Sequence, residues 1–345
     1  MSRDSVGRAA LWRSSELLWT RHRLQRLAGL GLAFLLLGGL SGCGTPPPAR
    51  HARVRQTASP TLSPSPSPTG AAAQLPHILV IVDENRGYAA TQTDCGSDNS
   101  YFCQLAAEYA SVAPWYGVTH PSQPNYLALI SGSTQGCTSD GCSGPYGGAN
   151  LGWQLTQADI PWAAYMESMP SPCYQGDSAG EYARKHDPFV VFQDLQGSAC
   201  SDHVLPYPGA SGLVRALEGP AAPDFVWITP NLLDDMHDGS VAEGNAWLAA
   251  NLGPVLNSTW FTQFPGTVIV TEDENDAEPG GGCCGEAQGG QVPQLVISQR
   301  ARGKGAVAAT GDHYGTLRTI EEAYNLPLLG GAAQAANGDL TSLFG

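Results

Sequence analysis

The sequence predicts an α/β domain with a central, mostly parallel sheet flanked by helices, and three observations carry that prediction. First, apolar runs end abruptly in polar residues, in HILVIVDENRG (77–87) and GTVIVTEDEND (266–276), as expected of parallel strands buried on both faces. Second, PDFVWITPN (223–231) and QLVISQ (294–299) add short runs of the same kind. Third, helical patterns fall between them, at YFCQLAAEYA (101–110), NLGWQLTQADIPWAAYMESM (150–169) and VAEGNAWLAANLGPVL (241–256), giving the alternation that a doubly wound sheet requires. A further helix is expected to start with YLALI (126–130), and another near Leu317. No internal repeat is present.

The chain has 345 residues, enough for one enzyme-sized domain with appendages. Its 42 glycines, 26 prolines and 14% charged residues describe a loop-rich globular protein and exclude a coiled coil or full-length disorder. The first 75 residues hold 9 of the 17 Lys and Arg and only 2 of the 31 acids. From residue 76 onward 8 basic residues face 29 acidic ones, a net of −21. Such a domain repels nucleic acid and anionic membrane surfaces.

The N-terminus has the pattern of an export signal, six arginines between Arg3 and Arg26 followed by the apolar run LAGLGLAFLLLGGL (27–40). That run is short for a membrane span and ends in LSGC, which resembles a bacterial lipobox, so Cys43 is the expected lipid anchor and the expected location is the cell surface. The Ser-Pro-rich stretch 44–75 cannot build a core and is expected to be a tether, leaving 76–345 as the folded domain. Outside the cytoplasm the remaining eight cysteines are expected to oxidise. Short loops favour Cys95 with Cys103 and Cys137 with Cys142, leaving Cys173 with Cys200 and the adjacent Cys283 and Cys284.

In open α/β sheets ligands sit beyond the carboxyl ends of the strands. Polar clusters follow three expected strands there: Asp83, Glu84 and Asn85; Asn231 with Asp234, Asp235, His237 and Asp238; and 272–276 of EDEND. Carboxylates converging from several strand ends need a cation between them, and such oxygen ligands suit a divalent metal. In GVTHPSQPNYLALISG (117–132), Ser122 sits between two prolines that stiffen its loop, an expected exposed nucleophile with His120 and Asn125 close in sequence.

Taken together, VDENRGY (82–88), THPSQPNYLALISG (119–132), KHDPF (185–189), ITPNLLDDMHDGS (228–240), VIVTEDEND (268–276) and DHYGTLRTIEEAYNLP (312–327) resemble the phosphoesterase family of bacterial acid phosphatases and phospholipases C, within the alkaline-phosphatase-like superfamily. The resemblance implies an alkaline-phosphatase-like sandwich, Ser122 as nucleophile, and Glu84, Asn85, Asp273 and Glu274 as ligands of a divalent metal. It also implies that His120, His186, Asp235, His237 and His313 surround the phosphate, with Asp235 and His313 as further ligands and the other histidines in catalysis. His313 is expected on a loop before its helix. Asn125, Arg86 and Lys185 are expected to contact substrate. The sequence departs from the family pattern at Asn245, where Asp is expected, and at Asp187, where Asn is common.

A bound metal lowers the pKa of a coordinated hydroxyl, so the expected activity is phosphomonoester hydrolysis through a phosphoseryl intermediate. The acidic domain repels an incoming phosphate less as its surface carboxylates titrate, so the rate is expected to peak below pH 7. Two alternatives stay open: a phospholipase C type diesterase on the same site, and a cation-binding surface lipoprotein without catalysis.

Overall fold

The computed structural model describes residues 75–92, 100–276 and 281–345. The expected leader, Cys43, all but the last residue of the expected tether, and Cys95 lie outside these residues.

In chain order the strands are β1 (His77–Asp83), β2 (Ala110–Tyr116), β3 (Trp162–Met166), β4 (Ser178–Ala179), β5 (Tyr182–Ala183), β6 (Val204–Pro206), β7 (Phe225–Thr229), β8 (Gly266–Glu272), β9 (Gln291–Val292), β10 (Gln294–Ser298) and β11 (Gly305–Asp312). The main sheet runs β11-β2-β10-β8-β1-β7-β3-β6, with β9 paired to β2; β4 and β5 form a separate hairpin. β1 pairs in parallel with β7 and β8, β7 with β3, β3 with β6, and β2 with β11. β10 runs against both β8 and β2. The sheet is therefore mostly parallel, and seven of its strands point their carboxyl ends to one edge.

The sequence explains the centre of this sheet. Every residue of β1, β3, β7, β8 and β10 is buried, which demands the unbroken apolar runs that mark them. Around it, helix Val241–Leu256 packs on helices Tyr101–Glu108 and Gly209–Leu217, while helix Ser122–Ser131 packs on His313–Ala323 and Leu151–Gln157. The helix at 241 starts with a capping box in which Ser240 and Glu243 satisfy each other's backbone amides.

Several boundaries differ from the sequence expectation. The pattern at 150–169 is not one helix: it stops at Gln157, and after Pro161 the run WAAYM becomes the interior strand β3. Proline resists helix continuation, and a five-residue apolar run buried on both sides suits a strand. Ala110 opens β2 rather than closing a helix. β2, β6 and β11 were not expected, since β2 contains Pro114 and β11 is a small-residue strand whose exposure alternates. Cys137 pairs with Cys142, Cys173 with Cys200, and Cys283 with Cys284. Among the described residues no helix is long and apolar enough to cross a membrane.

Candidate active site

Five strands deliver side chains to one place because their carboxyl ends share an edge. β1 runs into Glu84 and Asn85, β2 leads to His120 and Ser122, β7 to Asp235 and His237, β8 to Asp273 and Glu274, and β11 to His313. The loops are laced together by backbone bonds: Glu84 N donates to Asp235 O at 2.8 Å, and Asp273 N to Asp83 O at 3.1 Å. The β2 loop approaches β8 so closely that a Cβ on Gly117 would stand 2.8 Å from the Asp273 carbonyl. Only glycine permits that approach.

Ser122 is the first residue of its helix, which starts four residues earlier than YLALI indicates. Pro121 caps the helix and Pro124 lies within its first turn, where backbone amides have no helical partner, so neither proline costs a hydrogen bond. The hydroxyl is buried, contrary to the expected exposed position. Its Oγ donates toward Glu84 Oε2 at 3.0 Å and Glu274 Oε1 at 3.3 Å, joining residues 38 and 152 positions away. His120 Nδ1 lies 2.5 Å from Glu274 Oε2.

Beside Glu84 stands His186, from the 3-10 turn Arg184–His186. Its Nδ1 is 3.1 Å from Asp235 Oδ2 and its Nε2 is 2.7 Å from Glu84 Oε1, while its ring stacks on Tyr126. Met236, held at φ 76°, lies between Asp235 and His237, and the His237 amide donates to Asp235 Oδ1 at 2.8 Å. A left-handed non-glycine residue is strained, and such strain concentrates at functional sites. His237 Nε2 lies 2.9 Å from Lys185 Nζ.

Burial drives most carboxyls here upward. Asp273 stands well above the usual carboxylate range through burial, then the charges of Glu84 and Glu274. Burial, then Glu84, pushes Glu274 up to about 8, and burial also raises Asp235. For Glu84 burial opposes ionisation, but His186, Lys185 and His237 outweigh it and hold the carboxyl below its ordinary value. Burial pulls His186 down, yet Glu84 and Asp235 raise it to about 9. Burial lowers His313 to about 4, outweighing the Asp273 carbonyl, which favours the charged ring.

These residues fit a divalent cation. Ligand atoms of Glu84, His186 and His237 lie within 4.8 Å of one another. Asp273 Oδ2 is buried without a hydrogen-bond partner, a costly arrangement for a lone pair unless a cation accepts it, and Glu84 Oε1 has the His186 ring beside it. Mixed carboxylate and imidazole donors suit a borderline divalent metal. His313 stands behind the group: Nε2 is 2.5 Å from the Asp273 carbonyl, and Nδ1 is the buried ring atom left for a ligand. It opens its helix, capped by Asp312, rather than preceding it on a loop.

Two expected substrate contacts, Asn125 and Arg86, are engaged within the protein. Asn125 is fully buried, and its side chain is spent on its own loop: Oδ1 accepts from the Val118 and Thr119 amides, and Nδ2 donates to the Thr119 and Pro121 carbonyls. It shapes the nucleophile's loop rather than touching substrate. Arg86 donates to the carbonyls of Asn85, Met236 and Gly239, a strut between the β1 and β7 loops. Asn85 meets Asp273 through its backbone amide, 3.1 Å from Oδ1. The departures from the family pattern lie outside the cluster: Asn245 accepts from the Phe102 amide, and Asp187 from Tyr182 Oη and the Phe189 amide. Sequence reasoning missed Asp140, whose Oδ1 accepts from the Gln123 amide beside Ser122 and whose Oδ2 lies 3.2 Å from Lys185 Nζ. Its signal was the Cys137 and Cys142 spacing, which closes the small loop that carries it.

Residues 96–327 match the phosphoesterase family. The chain is 35% identical over 271 residues to a phosphatidylinositol-3-phosphatase of Mycobacterium tuberculosis, covering 77% of this chain and 83% of that protein. It is 27% identical over 293 residues to a probable acid phosphatase of Kluyveromyces lactis, covering 78% of this chain and 66% of that one. In three dimensions it resembles a protein in the alkaline phosphatase superfamily from Vibrio parahaemolyticus, with TM-score 0.53 and 11% identity, covering 74% of this chain and 68% of the other. That likeness concerns the fold.

Proposed function

The chain belongs to the phosphoesterase family and is a phosphoric ester hydrolase, and on that premise we propose that it is an exported, metal-dependent acid phosphatase that transfers the phosphoryl group of a monoester to Ser122 and then to water. The single observation that carries the proposal is the Ser122 hydroxyl within hydrogen-bond reach of Glu84 and Glu274, beside an imidazole and carboxylate cluster that fits a cation.

The residues divide the work by position. The Ser122 proton passes to the Glu84 or Glu274 oxygen it already faces as the Oγ–P bond forms and the bond from phosphorus to the leaving oxygen breaks. His120 flanks that group and is the candidate for protonating the leaving oxygen. The amino end of the Ser122 helix adds a positive pole for the phosphoryl oxygens. Glu84, His186, His237, Asp235, Asp273 and Glu274 would hold a divalent metal, which when bound supplies Lewis-acid stabilisation of the charge that develops on oxygen. Asp235 and Glu84 hold the His186 ring from both sides.

The name of the mycobacterial relative supports phosphoinositide monoesters as a substrate class. The expected lipobox at Cys43 supports a lipid anchor and a place at the cell surface, with no protein partner implied. The test is acid quench of the metal-loaded protein during turnover of p-nitrophenyl phosphate, with peptide mass analysis. A phosphoryl adduct on the Ser122 peptide is expected, with faster turnover of the monoester than of bis-p-nitrophenyl phosphate and a rate maximum below pH 7. Turnover without any adduct would remove the covalent mechanism.

A further inference from the structure

A second group of ligand atoms converges outside the Ser122 cluster. Cys283 Sγ, Cys284 Sγ and a carboxylate oxygen of Asp312 all lie within 4.8 Å of one another. Asp312 is buried at the end of β11, where its Oδ1 accepts from the Tyr314 and Gly315 amides at 2.9 and 3.3 Å while its Oδ2 has no hydrogen-bond partner. Cys283 Sγ lies 3.4 Å from the Gly311 carbonyl, so the cysteine loop rests on the strand that delivers Asp312. The bridge joins neighbours in sequence, and both of its residues are half-buried. The other two described bridges each have a buried member, Cys137 and Cys200. Closing so small a loop constrains the unfolded chain least, and partial exposure admits an attacking thiolate.

We propose that Cys283, Cys284 and Asp312 form a redox-gated site for a thiophilic divalent cation of the zinc class, closed while the cysteines are bridged and opened when a dithiol protein reduces them. In the opening step a thiolate of the reductant attacks one sulfur and the Sγ–Sγ bond breaks; the reductant's second thiol then displaces the protein sulfur. The reductant leaves as a disulfide, and its protons and electrons remain on the protein as a pair of cysteine thiols. The cation displaces the proton of each thiol and takes Asp312 Oδ2 as a further ligand. Sulfur separates this site from the Ser122 cluster, whose donors are carboxylate and imidazole, because soft thiolates select zinc-class ions over magnesium or calcium. Its position bears on catalysis: Asp312 precedes His313, and just beyond Cys284 the Gln288 and Gly289 amides donate to the Val118 and Gly117 carbonyls of the nucleophile's loop. A cation here ties those two segments together.

The test treats the full chain with limiting tris(2-carboxyethyl)phosphine, maps the freed thiols by alkylation and peptide mass analysis, and titrates the reduced protein with Co2+. Cobalt bound to thiolate gives a charge-transfer absorption that carboxylate and imidazole ligands do not. Labels are expected on Cys283 and Cys284 ahead of the other bridged cysteines, with a saturable cobalt band that the bridged protein lacks. Zn2+ is expected to slow alkylation of both residues about tenfold or more. Asp312→Asn, which keeps a helix cap, is expected to weaken Co2+ binding about tenfold, and Cys284→Ser to abolish the band. Band and protection are read in the wild type, so a variant that fails to fold does not spare the proposal. Another bridge opening first, a reduced wild type without band or protection, or a band that Cys284→Ser retains or Asp312→Asn leaves equally tight overturns it.

Discussion

Two groups of acids meet at the Ser122 site and are handled in opposite ways. Glu84, Asp235, Asp273 and Glu274 lie at the ends of buried strands, crowded against one another, with Asp273 Oδ2 lacking a hydrogen-bond partner. Asp140 and Asp177, a short distance outward, sit on loops and hairpin with a basic partner each. Buried like charges are tolerable only where protonation or a cation relieves them, whereas exposed, paired acids are already neutralised and weakly coupled to folding. The inner group concentrates like charge in a buried place, and the outer group shapes a neutral surface.

Breaking the inner group should give the largest effects. Ser122→Ala is expected to lower kcat at least a thousandfold with an unchanged circular dichroism spectrum, because the nucleophile disappears while a small buried side chain costs little packing. Chelation, or Glu84→Gln, is expected to lower activity at least a hundredfold, and readdition of a divalent ion should restore the chelated wild type but not the variant.

The contrast sharpens with pH. Glu274 in the folded, metal-free chain titrates near 8 against an ordinary value of 4.5. Below pH 4.5 both states hold this proton; between 4.5 and about 8 the unfolded chain has released it while the folded one keeps it. Stability of the chelated protein should therefore fall as pH rises through that window, by about 1.4 kcal/mol per pH unit for this group. A bound cation favours the ionised carboxylate, so the gap in melting temperature between loaded and chelated protein should widen from pH 5 to pH 8; a constant gap would count against a cation at these carboxylates. Asn125→Ala is expected to cost about 2 kcal/mol in denaturant unfolding, since it leaves the Val118 and Thr119 amides without their acceptor. The smallest effect belongs to the outer group: Asp140→Asn should change kcat/KM for phenyl phosphate by less than about fivefold, because its bonds to Lys185 and the Gln123 amide lie near the surface.

Much of this was legible in the chain itself. β1, β7 and β8 show as apolar runs because both their faces are buried, and the acids that end them follow at once in sequence. β3 was hidden because five apolar residues carry no periodicity that separates a strand from the end of a helix. Asn125 and Arg86 looked like substrate contacts because they fall within the matched motifs; their bonds to local carbonyls and amides appear only when the loops are folded.

By itself the sequence determined the class of fold, the family and the types of residue that gather at the strand ends, since burial pattern and motif order are properties of the linear chain. Only the tertiary structure decided which of those residues face one another. The contacts of Ser122 with Glu84 and Glu274, of His186 with Asp235, and of Lys185 with His237 and Asp140 join positions tens to more than a hundred residues apart. Sheet order sets those distances, and it is fixed by the pairing of whole strands rather than by any local stretch of chain.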